Sequence, residues 1–364
     1  MNRTGFSLLP LHYGHPPEYL YRRMVELGGL LCDTIVQVYG AKELVRRFSD
    51  PFWFHALSLV IGFDWNSSGT TTATLSAIKE YYSRHPGEIA VAGGKGRHMS
   101  ATREEVEAAE SAGLIGDADT TMRLAKRVAR IDDAFLQDSY DLYMQFLVVG
   151  SGTFSVVQQG MNEGKRMARR YHWYSGTMGT MLDDNREGIS APVPQDSVLD
   201  LTASSSRGNR RAMVEVLRER PESLMSMFAI GGQRTLDSTG KPVLNLDIRV
   251  DWKRLRQLYE YDVTGFEQLV DMPGLGKSTL RAISYMAEVI TGEKASTRDP
   301  VKFSFAVGGK DGVPKPVNVR DYDRAIEFFR EAVGSLDRGD RRTRTLIENL
   351  SKLSRERSSQ GPSL

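Results

Sequence analysis

Cysteine is nearly missing from this chain: Cys32 stands alone among 364 residues. One thiol excludes an internal disulfide framework and a cysteine-rich metal site. Its setting, Leu30-Leu31-Cys32, reads as a buried thiol rather than a reactive one. Histidine is also sparse, with six in all, and no two sit at metal-ligand spacing on one helix, since His12 and His15 precede the first proline-marked helix. An excess of either charge is missing as well: 48 basic residues face 46 acidic ones, for a net charge of +2. No global cationic field advertises a polyanion partner, so any nucleic-acid surface must be local. No apolar run is long enough to span a bilayer, and Met1-Asn2-Arg3 does not open a signal peptide. The expectation is a cytoplasmic protein without a membrane partner.

What is present is enough apolar residue, 40% of the chain, to bury a sizeable core in two or three domains. Residues 17 to 84 read as helical. Pro16-Pro17 suits a helix start, Met24, Leu27, Leu30, Leu31, Ile35 and Val38 form a buried stripe, and Gly40 ends it. A short strand, Ile89 to Ala92, runs into Gly93-Gly94-Lys95-Gly96. That loop lacks P-loop spacing, which leaves a DNA-backbone contact or a solvated turn. From Thr102 to Ala134 the pattern is helical. Thr102-Arg103-Glu104-Glu105 looks like a capping box, and Arg123, Lys126, Arg127 and Arg130 form a basic row that reads first as a solvated face. Two apolar runs flank Gly150-Ser151-Gly152 as a β-hairpin, followed by a basic aromatic stretch from Lys165 to Tyr174. Arg186 to Ser197 reads as a loop, and Val198 to Leu201 as a last strand. The fold expected is α+β and mostly helical, with an N-terminal helical segment carrying a small β-sheet and a C-terminal helical domain. The boundaries expected are 1–200 for a mixed domain with catalytic or lesion-binding function, 201–336 for a helical DNA-binding domain, and 337–364 for a polar basic tail.

The segment whose spacing points most directly to a ligand is Leu269 to Ile290, LVDMPGLGKSTLRAISYMAEVI. Pro273, Gly274 and Gly276 suit a tight reversal between two helices, and Gly292 suits a C-cap. Backbone N–H groups at the second helix start, beside Leu275, Lys277, Ser278 and Thr279, suit a phosphate. This stretch resembles the helix-hairpin-helix motif of DNA-repair and replication proteins, which implies sequence-independent backbone contacts with DNA. A purely structural helical hairpin is the alternative.

A wider resemblance rests on the pieces DPFWF, GFDWNSSGTTT, VAGGKG, QDSYDLY, VVQQGMN, RRYHW and SFAVGGKDG, in that order. They resemble an archaeal and bacterial family known as domain of unknown function 763. The resemblance implies a helix-hairpin-helix and a role in DNA repair. Asn66 and Val307 stand where that family is expected to carry histidine.

Three functional classes follow. Helix-hairpin-helix glycosylases place an aspartate about twenty residues beyond the hairpin, where a carboxylate stabilises an oxocarbenium-like sugar or activates water. Asp299 matches that order, although Asp299-Pro300 is equally a turn opening. Bifunctional members carry a lysine where this chain has Ser278, so Lys277 reads as a phosphate contact before a nucleophile. A metal-dependent nuclease is the second class, with Asp138 or Asp141 and Gln158-Gln159 near Mg²⁺; otherwise no cofactor is expected. A non-catalytic DNA-structure-binding module is the third. In the first, the N-terminal cleft is expected to combine Asp64, Trp65, Asn66, Lys95, Gln159, Arg169, Arg170 and His172. Asp64, Gln159 and His172 join Asp299 as candidate catalytic groups, while the others contact DNA. Oligomeric state is left open.

Overall fold

The computed structural model describes residues 16–62, 68–191, 194–224, 251–272 and 274–301, with the single positions 323, 326, 327 and 330. Four helices open the described residues: α1 (Glu18–Tyr39), α2 (Ala41–Phe48), α3 (Pro51–Val60) and α4 (Ser68–Arg84). Then come β1 (Ala90–Lys95), α5 (Thr102–Ser111), α6 (Ala118–Arg130), β2 (Leu136–Gln137), β3 (Asp141–Gly150), β4 (Thr153–Asn162), β5 (Met167–Tyr174), β6 (Gly188–Ser190) and β7 (Leu199–Asp200). The last described elements are α7 (Arg207–Arg218), α8 (Trp252–Glu260), α9 (Phe266–Asp271) and α10 (Lys277–Thr291). The architecture is α+β and mostly helical, with a small antiparallel sheet.

Local chemistry sets several boundaries. Pro17 precedes α1 and Gly40, at φ 86°, ends it. Asp50 caps α3 by accepting from the backbone N–H of Phe52 and Trp53, with Pro51 at the first helical position. Between β3 and β4, Ser151 (φ 52°) and Gly152 (φ 71°) form a two-residue turn with both central residues left-handed. That is the I′ geometry whose twist matches a hairpin. Two expectations are corrected. Thr102 does not cap α5, because a 3₁₀ turn over Gly96–Ala101 feeds the helix and the Thr102 hydroxyl donates to Met99 O at 2.7 Å. The expected loop from 186 contains β6, held as an edge strand by Arg170, Tyr171 and His172 of β5.

The main sheet has the order β1-β3-β4-β5-β6, all antiparallel, and β2 pairs separately with β7. Helices cover both faces, which is why β4 and β5 are buried almost throughout instead of alternating with solvent. One face presents Val91, Phe146, Val148, Val157 and Tyr174 to the α1–α4 layer. There α1 and α4 touch closely: a Cβ on Gly29 would lie 2.0 Å from the Tyr81 ring, so any side chain at this position would force the helices apart. The opposite face presents Ala92, Leu147, Val149, Val156 and Trp173 to a cluster that also contains Val128, Met213, Leu255, Leu280 and Ile283. Helices α7–α10 therefore share an apolar core with the sheet. Among the described residues no helix is long and apolar enough to cross a membrane.

Candidate functional site

Strand β5 carries three of the candidate residues, Arg169, Arg170 and His172. Successive side chains on a strand point to opposite faces, so Arg169, Tyr171 and Trp173 enter one layer while Arg170 and His172 enter the other.

On the first face, Arg169 is fully buried between two carboxylates, Asp138 at 2.8 Å and Asp299 at 2.6 Å. Asp138 also accepts from Tyr171 OH at 2.7 Å and from Tyr140 N at 3.1 Å. Asp299 takes both Arg169 Nη1 and Nη2 and the backbone N–H groups of Gln195 and Val301. Burial pushes the Asp138 carboxyl above its ordinary range, against the pull of Arg169. Burial alone would lower the Arg169 guanidinium, and Asp138, Tyr171 and Asp299 more than reverse that. A second buried pair lies on the same side, Asp132 with Arg186 at 3.1 Å. Asp132 accepts from Trp173 Nε1 and Gln158 Nε2, both at 2.7 Å. Burial raises it to about 6.

The second face holds a different chemistry. Arg170 is fully buried and donates from Nε to His172 Nε2 at 2.9 Å and from Nη1 to Thr71 Oγ1 at 3.2 Å, with Phe54 stacked 4.6 Å from its Cζ. Among the described residues no carboxylate pairs with it, and burial pushes its pKa down to about 9. His172 Nδ1–H donates to Phe48 O at 2.9 Å. Burial, and then Arg170, holds its imidazole well below the ordinary range. His55 is lowered to about 4 by the same two causes. Across the strand from Arg170, Gln159 donates from Nε2 to Ser68 O at 2.9 Å and to Tyr143 OH. Lys95 is exposed, its ammonium 5.3 Å over the Tyr143 ring.

These shifts make a pH prediction. Unfolded His55 and His172 would take protons near pH 6.5, whereas in the folded chain His55 does so only near 4 and His172 well below 6.5. The unfolded state therefore binds more protons in that interval, and the stability these rings contribute is present above pH 6.5 and lost as pH falls through it. Asp132 acts with the opposite sign, because its raised carboxyl takes a proton in the folded chain before the unfolded one. Ring ¹⁵N shifts should show both histidines neutral at pH 5.5; an imidazolium signal from either would contradict the buried geometry.

The turn between α9 and α10 lies on the first face. Gly274 (φ 72°), Gly276 and Ser278 are exposed and Lys277 is half-buried, while Leu275 and Thr279 are buried. α6 supports it from below: Arg130 Nη2 donates to Leu275 O at 2.9 Å and to Leu269 O at 3.3 Å, and Arg127 pairs with Asp271 at 3.1 Å. Gln137 Nε2 reaches Lys277 O at 2.8 Å. The Lys277 ammonium lies between Asp133 at 2.9 Å and Asp141 at 2.6 Å. Partial burial would lower it, and Asp141 and Asp133 together raise it. Gly292, at φ 78°, closes α10 in the left-handed conformation.

The expected single cleft is thus divided. Gln159 and Arg170 meet at the first turn of α4, with His172 bonded to Arg170 and Lys95 nearby, whereas Arg169 and Asp299 meet on the other side of the sheet. Arg169 and Arg170 are both fully buried, so neither belongs to an exposed surface along which duplex DNA could lie, as was expected of them. Lys277 serves first as a strut onto two carboxylates. Asp138 is bonded to Arg169, Asp141 to Lys277, Gln158 Nε2 to Asp132 and Gln159 Nε2 to Ser68 O. Among the described residues no cluster of three histidine, cysteine or carboxylate groups is placed to hold a metal. Asp64, Trp65, Asn66 and Pro273 lie outside the described residues, as do Val307 and the tail 337–364. Missed altogether were Asp132 and Arg186. The signal for Asp132 was an acid on the apolar face of a helix, and for Arg186 there was none in sequence.

Comparison with curated proteins and with solved structures finds no match. A family model described as protein of unknown function (DUF763) matches residues 5–317, and the chain belongs to that family.

Proposed function

We propose that this protein binds the backbone of duplex DNA through the α9–α10 turn, in the manner of a helix-hairpin-helix, in the service of DNA repair. The observation that carries the reading is the exposed turn together with the basic stripe beside it. Gly276 brings the chain to the surface immediately before α10, where the helix dipole and its first N–H groups favour an anion. Arg123, Lys126 and Arg130 recur along α6 three or four residues apart, with Arg127 next to Lys126, and the inner end of the row, Arg130, is bonded to the turn itself. The outer members, Arg123 and Lys126, reach solvent. The row that reads in sequence as a solvated face is therefore continuous with the turn, as a track for successive phosphates requires. Base excision is not part of this reading, because all the oxygen positions of Asp299 are taken by Arg169 and two backbone N–H groups.

The test uses Gly276, because folding does not depend on its lacking a side chain. Its φ of −90° suits any residue, and an added Cβ would meet nothing within 4 Å. Gly276→Ala should weaken binding to duplexes of unrelated sequence by roughly tenfold, the loss of one or two phosphate hydrogen bonds. Its melting temperature should stay unchanged. Fluorescence anisotropy on both proteins decides the matter, and equal affinities would remove the turn from the interface.

A further inference from the structure

We propose that the first turn of α4, with Arg170 and Gln159 beneath it, is a binding site for a phosphate group, supplied as the free ion or as the terminal phosphate of a nucleic-acid strand. The site is independent of the α9–α10 turn and lies on the opposite face of the sheet.

The charge is the first observation. A fully buried guanidinium without a carboxylate is costly, and native interiors normally supply the counter-ion. Arg169, the next residue, has two acids; Arg170 has none among the described residues. Its neighbours are a neutral imidazole, a phenyl ring and a threonine hydroxyl.

Unmet hydrogen bonds are the second observation. Arg170 Nη2 and Gln159 Oε1 are both buried without a partner among the described residues. They belong to residues directly opposed across β4 and β5, and both side chains reach the same helical turn, Arg170 at Thr71 and Gln159 at Ser68 O. One atom is a cationic donor and the other an acceptor. A carboxylate would satisfy only the donor, whereas a singly protonated phosphate offers an anionic oxygen to Arg170 and an O–H to Gln159.

The helix is the third. α4 is 17 residues long, and its positive end faces this position. Thr71 Oγ1 accepts from Arg170 and keeps its proton to donate. Gly69, Thr72 and Tyr143 are half-buried and Lys95 is exposed, so the turn reaches the surface on this side. Lys95, above Tyr143, would draw an anion toward it.

The experiment is thermal unfolding of the full chain, with calorimetric titration, in phosphate or in chloride at equal ionic strength. A 5′-phosphorylated trinucleotide is compared with its 5′-hydroxyl counterpart. Wild type should melt higher in phosphate, in the phosphorylated trinucleotide, or in both; a response to the trinucleotide alone identifies a strand end as the source, and one to phosphate alone the free ion. Thr71→Val, which keeps the shape and removes the hydroxyl, should weaken binding about tenfold. Gln159→Glu places a carboxylate opposite Arg170; it should raise the melting temperature in chloride and abolish the response to phosphate. No response of wild type to any phosphate would overturn the site, and so would a response of equal size in both variants.

Discussion

Replacing Arg169 with methionine should destabilise the folded chain by about 3–5 kcal/mol, the loss typical when one partner of a buried ion pair is removed. Asp138 and Asp299 would then face each other inside the protein with no cation between them. Their side chains are almost fully enclosed, 0% and 2% exposed, so water cannot take over the role of the guanidinium. Asp299→Asn should cost far less, about 1–2 kcal/mol, because an amide still accepts from Arg169 and from the backbone of Gln195 or Val301. The pH dependence has a definite sign. In Arg169→Met the Asp138 carboxyl, already held above its ordinary range by burial, keeps its proton more tightly folded than unfolded, so the deficit should be largest at neutral pH and shrink as pH falls toward about 4. Urea unfolding at several pH values measures it through the midpoint at constant slope. A variant as stable as wild type at neutral pH would show that the triad does not hold this part of the fold. The same pair of variants separates structure from catalysis for Asp299, since a structural carboxylate lowers stability in step with any loss of activity.

The second large effect concerns α6. Arg123→Glu combined with Lys126→Glu reverses two solvent-facing charges on the stripe that leads to the α9–α10 turn. At low salt the double variant should bind duplex DNA about 10- to 100-fold more weakly, and the slope of log affinity against log salt should fall by about 1 for each phosphate no longer neutralised. The change should be the same for unrelated sequences, because backbone contacts carry no sequence information. With 48 basic and 46 acidic residues overall, two reversals would vanish into the background unless they lie in the interface. An unchanged salt slope would exclude α6 from it.

Much of the local structure was legible because its causes are local. Gly150-Ser151-Gly152 between apolar runs specifies a hairpin within a few residues, and the turn took the expected form. Asp50-Pro51 before an apolar stretch specifies a capped helix start, and Gly40 and Gly292 end helices for the same short-range reason. The mostly helical α+β class followed from periodicity. The Lys165–Tyr174 stretch was not legible in the same way. Arg169, Arg170, Tyr171, His172 and Tyr174 are all polar enough to suggest a surface, and only the helical layers on both sides of the sheet make them interior, while Lys165 and Arg166 before the strand stay exposed.

Partners across long stretches of chain were beyond any pattern. Arg169 meets Asp299 at a separation of 130 residues, and Lys277 meets Asp141 at 136. A carboxylate at a glycosylase-like distance after the hairpin and a lysine beside its glycines both match a functional pattern in one dimension, yet in three both are held in ion pairs, Asp299 in the interior and Lys277 at the half-exposed surface. By itself the sequence determined the hairpin, the helix ends at Gly40 and Gly292, the helical majority and the presence of an exposed glycine turn, since each depends on backbone conformation over a few neighbouring residues. The tertiary structure alone decided that adjacent arginines take opposite faces of one strand, one neutralised by two acids and the other without a carboxylate among the described residues. The physical reason is that strand alternation sets only that they differ, while the layer packed on each face sets what each one meets.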